Sequence, residues 1–162
     1  MGSVESIEEL VVSATTDDQL LAAIVERLSA DSGTIHLLKS GDMLHLVAAT
    51  PGLPAPVLEK IREVPVGKGM AGLAVERAAP VDACNIQTDT SGDVRPGALA
   101  TGLAGAIVVP ILRGNEVIGA LGVANRAERT FTQDEIEALL AAGRAIAAKH
   151  SEMPSGGTAP AA

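Results

Sequence analysis

Two apolar runs joined by a short polar turn constrain the fold of this 162-residue chain more than any other feature. The runs extend from Ala106 to Leu112 and from Val117 to Ala124, and Arg113-Gly114-Asn115-Glu116 separates them. Aliphatic runs of this length on either side of a Gly-containing turn predict a β-hairpin. Because the runs are so apolar, we expect them to form the central strands of a sheet.

Two capping boxes predict a helix near each end of the chain. Thr16-Asp17-Asp18-Gln19 precedes an apolar stripe that extends to about residue 30, and Thr132-Gln133-Asp134-Glu135 precedes one that ends near Lys149. Phe131 and Ile136 flank the second box in the positions of a hydrophobic staple. Residues 16–149 are therefore the predicted domain. We expect an N-terminal extension with a short helix at 1–15 and a disordered tail at 150–162.

The segments between these helices predict a mixed arrangement of helices and strands. They are a first hairpin from residues 33–38 and 43–49, a helix from 54 to 63, a helical segment from 67 to about 78, and a brief third strand from Val81. Residues 85–105 are polar, Gly-rich and without periodicity. Because compact domains seldom carry a loop of about twenty residues without a function, we expect this loop to be a lid over a binding site.

The composition disfavours several classes of function. The chain contains no Trp, no Tyr and one Phe, and its formal net charge is -8. Base stacking and attraction to a phosphate backbone are both weakened, so we do not expect nucleic-acid binding. No apolar run is long enough to span a bilayer, and the acidic start differs from a signal peptide, so we expect a cytoplasmic protein without membrane attachment. The single cysteine excludes an internal disulfide and a multi-cysteine zinc site.

The order of elements and several local strings resemble the GAF domain family over about residues 16 to 149. Val64-Pro65-Val66-Gly67-Lys68-Gly69-Met70-Ala71-Gly72 is similar to the segment that leads into the middle helix of the family, and Val108-Val109-Pro110-Ile111 with Gly114 to Leu121 is similar to its closing hairpin. Asn125-Arg126, Phe131 and Asp134-Glu135 resemble the asparagine-lysine, phenylalanine and aspartate-glutamate signature of cyclic-nucleotide GAF domains. Arg126 replaces the lysine, and the gap after Phe131 is one residue shorter, so the signature supports the fold more than any ligand.

The resemblance implies an α/β fold of the α+β type. Its features would be a central antiparallel sheet of five to six strands, terminal helices packed on one face, and a ligand pocket under loops and short helices on the other. It also implies a non-catalytic, regulatory sensor of the bacterial type. Binding of a small molecule would order the 85–105 loop and shift the terminal helices, through which the domain would signal to a homodimer mate or to a separate effector protein.

The ligand would contact residues around this pocket and loop. We expect it to lie against Met70, Cys84, Asn85, Thr88, Asp89, Arg95 and Thr101. No catalytic residue and no metal site is predicted, and neither the ligand nor any cofactor can be named from the sequence.

Two other features support weaker hypotheses. Gly67 to Gly72 matches the G-x-G-x-x-G pattern of dinucleotide sites, but no β-α-β order surrounds it, so we favour a tight turn into a helix. His36 and His45 would face each other if the first hairpin turned between Ser40 and Gly41, and could then share a metal ion with a third ligand. The alternative is that both histidines are half-exposed residues of the sheet that bind no metal.

Cys84 separates an enzyme hypothesis from two binding hypotheses. The free methionine sulfoxide reductases of the GAF family need a nucleophilic cysteine and a resolving thiol, and this chain has one cysteine. We therefore expect a buried, inert Cys84 and no enzymatic activity, with redox or electrophile sensing as the alternative role of the thiol and a reductase as a distant third reading of the chain. A ligand-responsive module is the first hypothesis, and an interaction or scaffolding domain with a vestigial pocket is the second.

Overall fold

A computed structural model of the chain describes residues 16–88 and 102–152. Four helices and six strands occur in these two ranges. In chain order they are α1 (Asp17–Arg27), β1 (Ser32–Ser40), β2 (Met43–Ala49), α2 (Ala55–Ile61), β3 (Glu63–Pro65), α3 (Gly69–Arg77), β4 (Val81–Ala83), β5 (Gly105–Arg113), β6 (Glu116–Asn125) and α4 (Gln133–Glu152). The predicted extension at 1–15, most of the loop at 89–101 and the tail from 153 lie outside the described residues.

Both predicted capping boxes fix the start of a helix. The Thr16 hydroxyl accepts a hydrogen bond from the Gln19 amide at 3.1 Å. In the second box the Glu135 amide donates to the Thr132 hydroxyl at 3.1 Å, and the Thr132 amide donates to the Glu135 carboxylate at 2.8 Å. Phe131 is buried in the cluster against which Ile136 packs, which confirms the predicted staple.

The strands form one antiparallel sheet in the order β3-β2-β1-β6-β5-β4. The α+β class and the sheet of five to six strands are therefore confirmed. The centre is the β1/β6 pair, so the prediction that β5 and β6 are the two central strands was half right. Strand β1 of the first hairpin lies at the centre because it pairs with β6 along six residues as well as with β2.

The brief strand predicted from Val81 was expected to be the third in chain order, but it is the fourth, β4. The strand that the sequence did not predict is β3, whose Val64 lies opposite Leu44 at the edge of the sheet. It has three residues and ends on Pro65, which has no amide hydrogen to donate and is typical of an edge position. The preceding helix consequently ends at Ile61, two residues earlier than predicted.

The two terminal helices cover one face of the sheet. Leu20, Leu21 and Ile24 of α1 and Leu139 and Ile146 of α4 are fully buried against it. His150 Nε2 lies 3.2 Å from the Asp17 carboxylate, so the ends of the two helices are in contact. Helix α4 continues to Glu152, three residues past the predicted end of the domain. None of the described helices is both long and apolar enough to cross a bilayer.

The register of the first hairpin differs from the one that would pair the histidines. His36 lies opposite Leu46, and His45 lies opposite Leu37. The turn is only Gly41-Asp42, with Ser40 opposite Met43, and a register shift follows between Leu38 and Ser40. The expected His36–His45 pair is therefore wrong, because a slip of one residue changes every partner in a hairpin. No cluster of three metal-ligating side chains occurs among the described residues.

Candidate ligand-binding cavity

The face of the sheet opposite the terminal helices carries a cavity of about 550 Å³. This volume lies within the range of small-molecule sites. Strands β1, β5 and β6 supply one wall, and helices α2 and α3 with Leu53 and Leu103 supply the others. The lining residues are Ser32, Gly33, Thr34, His36, Leu53, Val57, Lys60, Ile61, Val64, Lys68, Gly69, Met70, Ala71, Leu103, Ala106, Val108, Gly122, Val123 and Ala124.

Small residues on the sheet leave the space that the cavity occupies. Ala106, Gly122 and Ala124 lie on neighbouring positions of β5 and β6, and β5 and β6 pair Ala106 with Ala124 directly. A methyl group added at Gly122 would lie 3.1 Å from a methyl carbon of Val108, so even one carbon crowds this wall. Alternation along the strands therefore separates small, cavity-facing residues from the large ones under α1 and α4.

His36 is the more deeply buried of two buried polar residues that line this cavity, at 3% exposed against 7% for Ser32. Its Nε2 lies 2.9 Å from the Ile61 carbonyl oxygen, and because a carbonyl only accepts, Nε2 donates. Burial lowers the pKa of His36 below its ordinary value of 6.5, against a smaller opposing effect of the Ile61 hydrogen bond. The ring is therefore neutral at pH 7, and Nδ1 is a hydrogen-bond acceptor.

The charged groups of the described lining are of one sign. Lys60 and Lys68 contribute to it, and no Asp or Glu does. Both lysines are exposed, and within residues 16–88 and 102–152 neither forms an ion pair. In a chain with a net charge of -8, this local excess of positive charge would favour an anionic group at the rim of the cavity.

The glycines between Gly67 and Gly72 fix the turn into α3. Gly67 and Gly69 have positive φ values of 92° and 67°, which favour glycine. A Cβ at Gly72 would collide with the Pro65 carbonyl oxygen. The Gly67 amide donates to the Gly72 carbonyl at 2.8 Å. These contacts agree with the interpretation of the motif as a tight turn into a helix, although Gly69 and Met70 also line the cavity.

The residues predicted to contact a ligand fall into three groups. Met70 lines the cavity. Cys84, Asn85 and Thr88 are described but are not among its lining residues, and the Asn85 amide nitrogen donates to Glu128 at 2.7 Å while its oxygen accepts from the Gln87 amide. Asp89, Arg95 and Thr101 lie outside the described residues.

Cys84 is exposed, so the expectation of a buried thiol was wrong. The short strand β4 ends at Ala83, and its burial alternates, with Val81 and Ala83 inside and Asp82 outside. Cys84 follows this strand at a bend, where the alternation stops applying. A position one residue after a three-residue strand cannot be assigned to a face from its sequence.

Ser32, Thr34 and His36 are polar residues of β1 that sequence reasoning did not assign to the cavity. They follow one another at intervals of two residues on one strand, and all three line it. The alternation of these polar residues with Gly33, Ile35 and Leu37 predicts that they share one face of the strand. It does not predict which face of the sheet carries the cavity.

The signature-like residues near the end of the chain lie away from the cavity lining and form a structural network. Arg129 donates to Asn125 Oδ1 at 2.7 Å and to the Glu135 carboxylate at 2.8 Å, and its guanidinium carbon lies 4.3 Å from the centre of the Phe131 ring. Hydrogen bonds from the Thr132 amide and then from Arg129 hold the pKa of the Glu135 carboxyl below its ordinary value. The network connects β6 to the start of α4.

Arg129, which the sequence did not single out, is the basic residue of this network. Arg126 stands where the resemblance placed a lysine, but its side chain is exposed, and its amide donates to Asp31 at 2.7 Å. Asp31 precedes β1, so this contact joins the start of β1 to the end of β6.

Comparison with known proteins agrees with this architecture. The GAF domain family model matches residues 14–148. The GAF domain of a phosphoenolpyruvate-protein phosphotransferase from Coxiella burnetii superposes with a TM-score of 0.75 at 21% identity, over 90% of this chain and 88% of the other. No curated protein matches the chain significantly.

Two further structures are similar at the level of the fold. Free methionine-R-sulfoxide reductase from Neisseria meningitidis, in complex with its substrate, has a TM-score of 0.70 at 19% identity, over 90% of this chain and 84% of the other. The A. aeolicus nlh2 GAF domain in an inactive state has a TM-score of 0.68 at 16% identity, over 90% and 91%. With most of its length matched by the family model, the chain belongs to the GAF domain family.

Proposed function

We propose that this GAF domain is a non-catalytic sensor that binds a small molecule in the cavity between the sheet and helices α2 and α3. The observation that carries the proposal is a cavity of about 550 Å³ lined mainly by apolar side chains, with one buried histidine in its wall. An apolar cavity with a few polar groups is the usual form of a small-molecule site.

The sheet offers a route from the cavity to the terminal helices. Val108 lines the cavity, whereas Ile107 and Val109 on the same strand belong to the core under α1 and α4. A ligand that displaces β5 or β6 would therefore change the packing of α4, and one that displaces β1 would change the packing of α1. We propose that this change passes to a homodimer mate or an effector protein through α1 and α4, because a sensor requires two packings with different ligand affinity.

Native mass spectrometry of the protein purified from its own cells tests this function. We expect a bound small molecule whose mass disappears after denaturation, and a subunit number above one. An Ala124→Leu variant fills the cavity and should lose the added mass. Ala22→Leu makes the same change on the exposed side of α1 and should keep it.

A spectrum without added mass needs a second measurement. Thermal unfolding in the presence of small apolar probes at millimolar concentration then decides, because a ligand that binds the native state raises the unfolding temperature. If neither Tm nor mass responds in the wild-type protein, the cavity is vestigial. An apo dimer would then support the alternative, a protein-interaction or scaffolding domain.

A methionine sulfoxide reductase is the third candidate, and the exposed thiol of Cys84 is the observation in its favour. Against it, Cys84 is absent from the cavity lining, and a second protein thiol must come from outside the chain. Turnover of free methionine sulfoxide with a thiol reductant measures this activity directly. Turnover that Cys84→Ser abolishes would replace the sensor proposal by an enzyme.

A further inference from the structure

We propose that the cavity selects a compact, largely apolar molecule that carries one hydroxyl or N–H group, and that this group donates a hydrogen bond to Nδ1 of His36. The inference deepens the proposed function and rests on it, because it names the chemical class of the ligand. Its basis is the ring position, the hydrogen-bond pattern and the composition of the walls.

The Ile61 carbonyl determines which nitrogen of His36 carries the proton. This carbonyl lies 2.9 Å from Nε2 and cannot donate, so the hydrogen is on Nε2. A neutral imidazole has one N–H group, and Nδ1 therefore presents a lone pair. The environment favours this neutral form because the ring is buried.

Nδ1 is the buried side-chain polar atom that lacks a partner in the described part of this site. It exposes less than 1 Å² and has no hydrogen bond within the described part of the chain. Buried acceptors in native proteins are almost always paired, since an unpaired one loses its interaction with water without replacement. The ring lines the cavity, so a molecule inside the cavity can supply the donor after a small shift of the ring or its neighbours.

The remaining walls select the body of the molecule. Ala106, Gly122 and Ala124 form a floor without polar side-chain atoms, and Val57 and Met70 face it from α2 and α3. A charged or highly polar body would lose its hydration against these walls without compensation. A flat or compact hydrocarbon body is therefore favoured.

Thr34 adds a second polar position near the first. It precedes His36 by two residues on β1, which places the two side chains about 7 Å apart on one face. Its hydroxyl forms no hydrogen bond to another residue in the described ranges, and it lies within 3.5 Å of the position a Gly122 Cβ would take. The polar end of the ligand should therefore lie over β1 and its apolar end toward Met70.

Two pairs of probes with matched shape test the inference. Indole and phenol carry a donor, whereas benzofuran and toluene have nearly the same size and carry none. We expect indole and phenol to bind the wild-type protein roughly fivefold more tightly than their partners, as one added hydrogen bond implies. In ¹⁵N-histidine-labelled protein, the Nδ1 resonance of His36 should move with indole and not with benzofuran.

Variants separate His36 from the general effect of an apolar cavity. His36→Phe should bind both members of each pair equally, whereas His45→Phe, on β2 and outside the cavity lining, should keep the preference. If His36→Phe does not fold, the wild-type affinities and the Nδ1 resonance decide alone.

The outcomes distinguish this inference from the function beneath it. Equal affinity within each pair, or an unmoved Nδ1 resonance, would overturn the donor requirement and leave the sensor proposal intact. Absence of binding by all four probes would contradict an apolar ligand site in this cavity, and with it the proposed function.

Discussion

The two faces of the sheet use the same strands and are packed in opposite ways. Toward α1 and α4, Ile107, Val109 and Leu121 are fully buried in one continuous core. Toward α2 and α3, their neighbours Ala106 and Gly122 are small, and a cavity takes the place of side chains. Protein interiors are normally close-packed. The difference therefore indicates that the first face stabilises the fold, whereas the second leaves a space that a ligand could occupy.

Truncation of one large side chain on each face should give the largest contrast. Leu121→Ala removes a fully buried side chain from the helix-covered face and should cost about 2–5 kcal/mol of unfolding free energy. Met70→Ala on the half-buried cavity wall should cost only about 1 kcal/mol, because the space it leaves joins an existing cavity. Urea unfolding measures both. Equal losses would show that the cavity face stabilises the fold as much as the core.

A change of pH should reveal His36, the buried titratable group among the described residues of the cavity face. The pKa of His36 is lowered in the folded chain, so between that value and 6.5 the unfolded chain binds more protons. Protonation of His36 therefore does not affect the free energy of unfolding at pH 7.5. It lowers that free energy as the pH drops below about 6.5. In the difference between wild type and His36→Phe, the unfolding free energy should rise from pH 5 to 7.5.

Every other residue is the same in both proteins of this comparison, so its contribution cancels from the difference. Urea unfolding at several pH values gives the slope, which does not depend on the absolute stability of the variant. A flat or falling difference would contradict a buried, neutral His36. Saturating indole should leave this slope in place in wild type if it keeps the ring neutral, because the unfolded chain still binds the additional proton.

The sequence predicted the helix-covered face better than the cavity face, for a physical reason. Capping boxes at Thr16 and Thr132 and the staple at Phe131 are local patterns, and each determines a helix start within a few residues. The apolar stripes of α1 and α4 then leave one way to pack. These are short-range signals, and the structure confirms them.

The cavity depends on the register between strands and on the space that small side chains leave open. Neither is determined by a local sequence pattern. The two-residue turn at Gly41-Asp42 and the register shift between Leu38 and Ser40 together leave the hairpin one residue away from the predicted register, so that His36 lies opposite Leu46 instead of His45. β3 is too short to show alternation. Ala106 and Gly122 become a cavity floor only when strands β5 and β6 are paired and α3 is placed above them. No pattern in a single strand contains that information.

The smallest expected effect concerns the positive rim of the cavity face. If Lys60 and Lys68 attract an anionic group, indole-3-carboxylate should bind the wild-type protein more tightly than indole at low salt. Lys68→Gln should weaken the carboxylate by roughly two- to fivefold, the value of an exposed charge pair, and leave indole unchanged. Added salt should produce the same weakening, because the exposed pair is screened.

Lys149→Gln on α4 removes one positive charge from the other face and controls for net charge. Its effect on carboxylate binding should be smaller than that of Lys68→Gln, because α4 covers the opposite face of the sheet, and it should vanish at about 0.15 M salt, where the Debye length is only about 8 Å. If both variants weaken the carboxylate equally, the attraction comes from the charge of the whole protein and not from the rim. A carboxylate that binds less well than indole, in every variant, would instead mean that desolvation of the anion outweighs the lysines, and would restrict the ligands of this face to neutral donors.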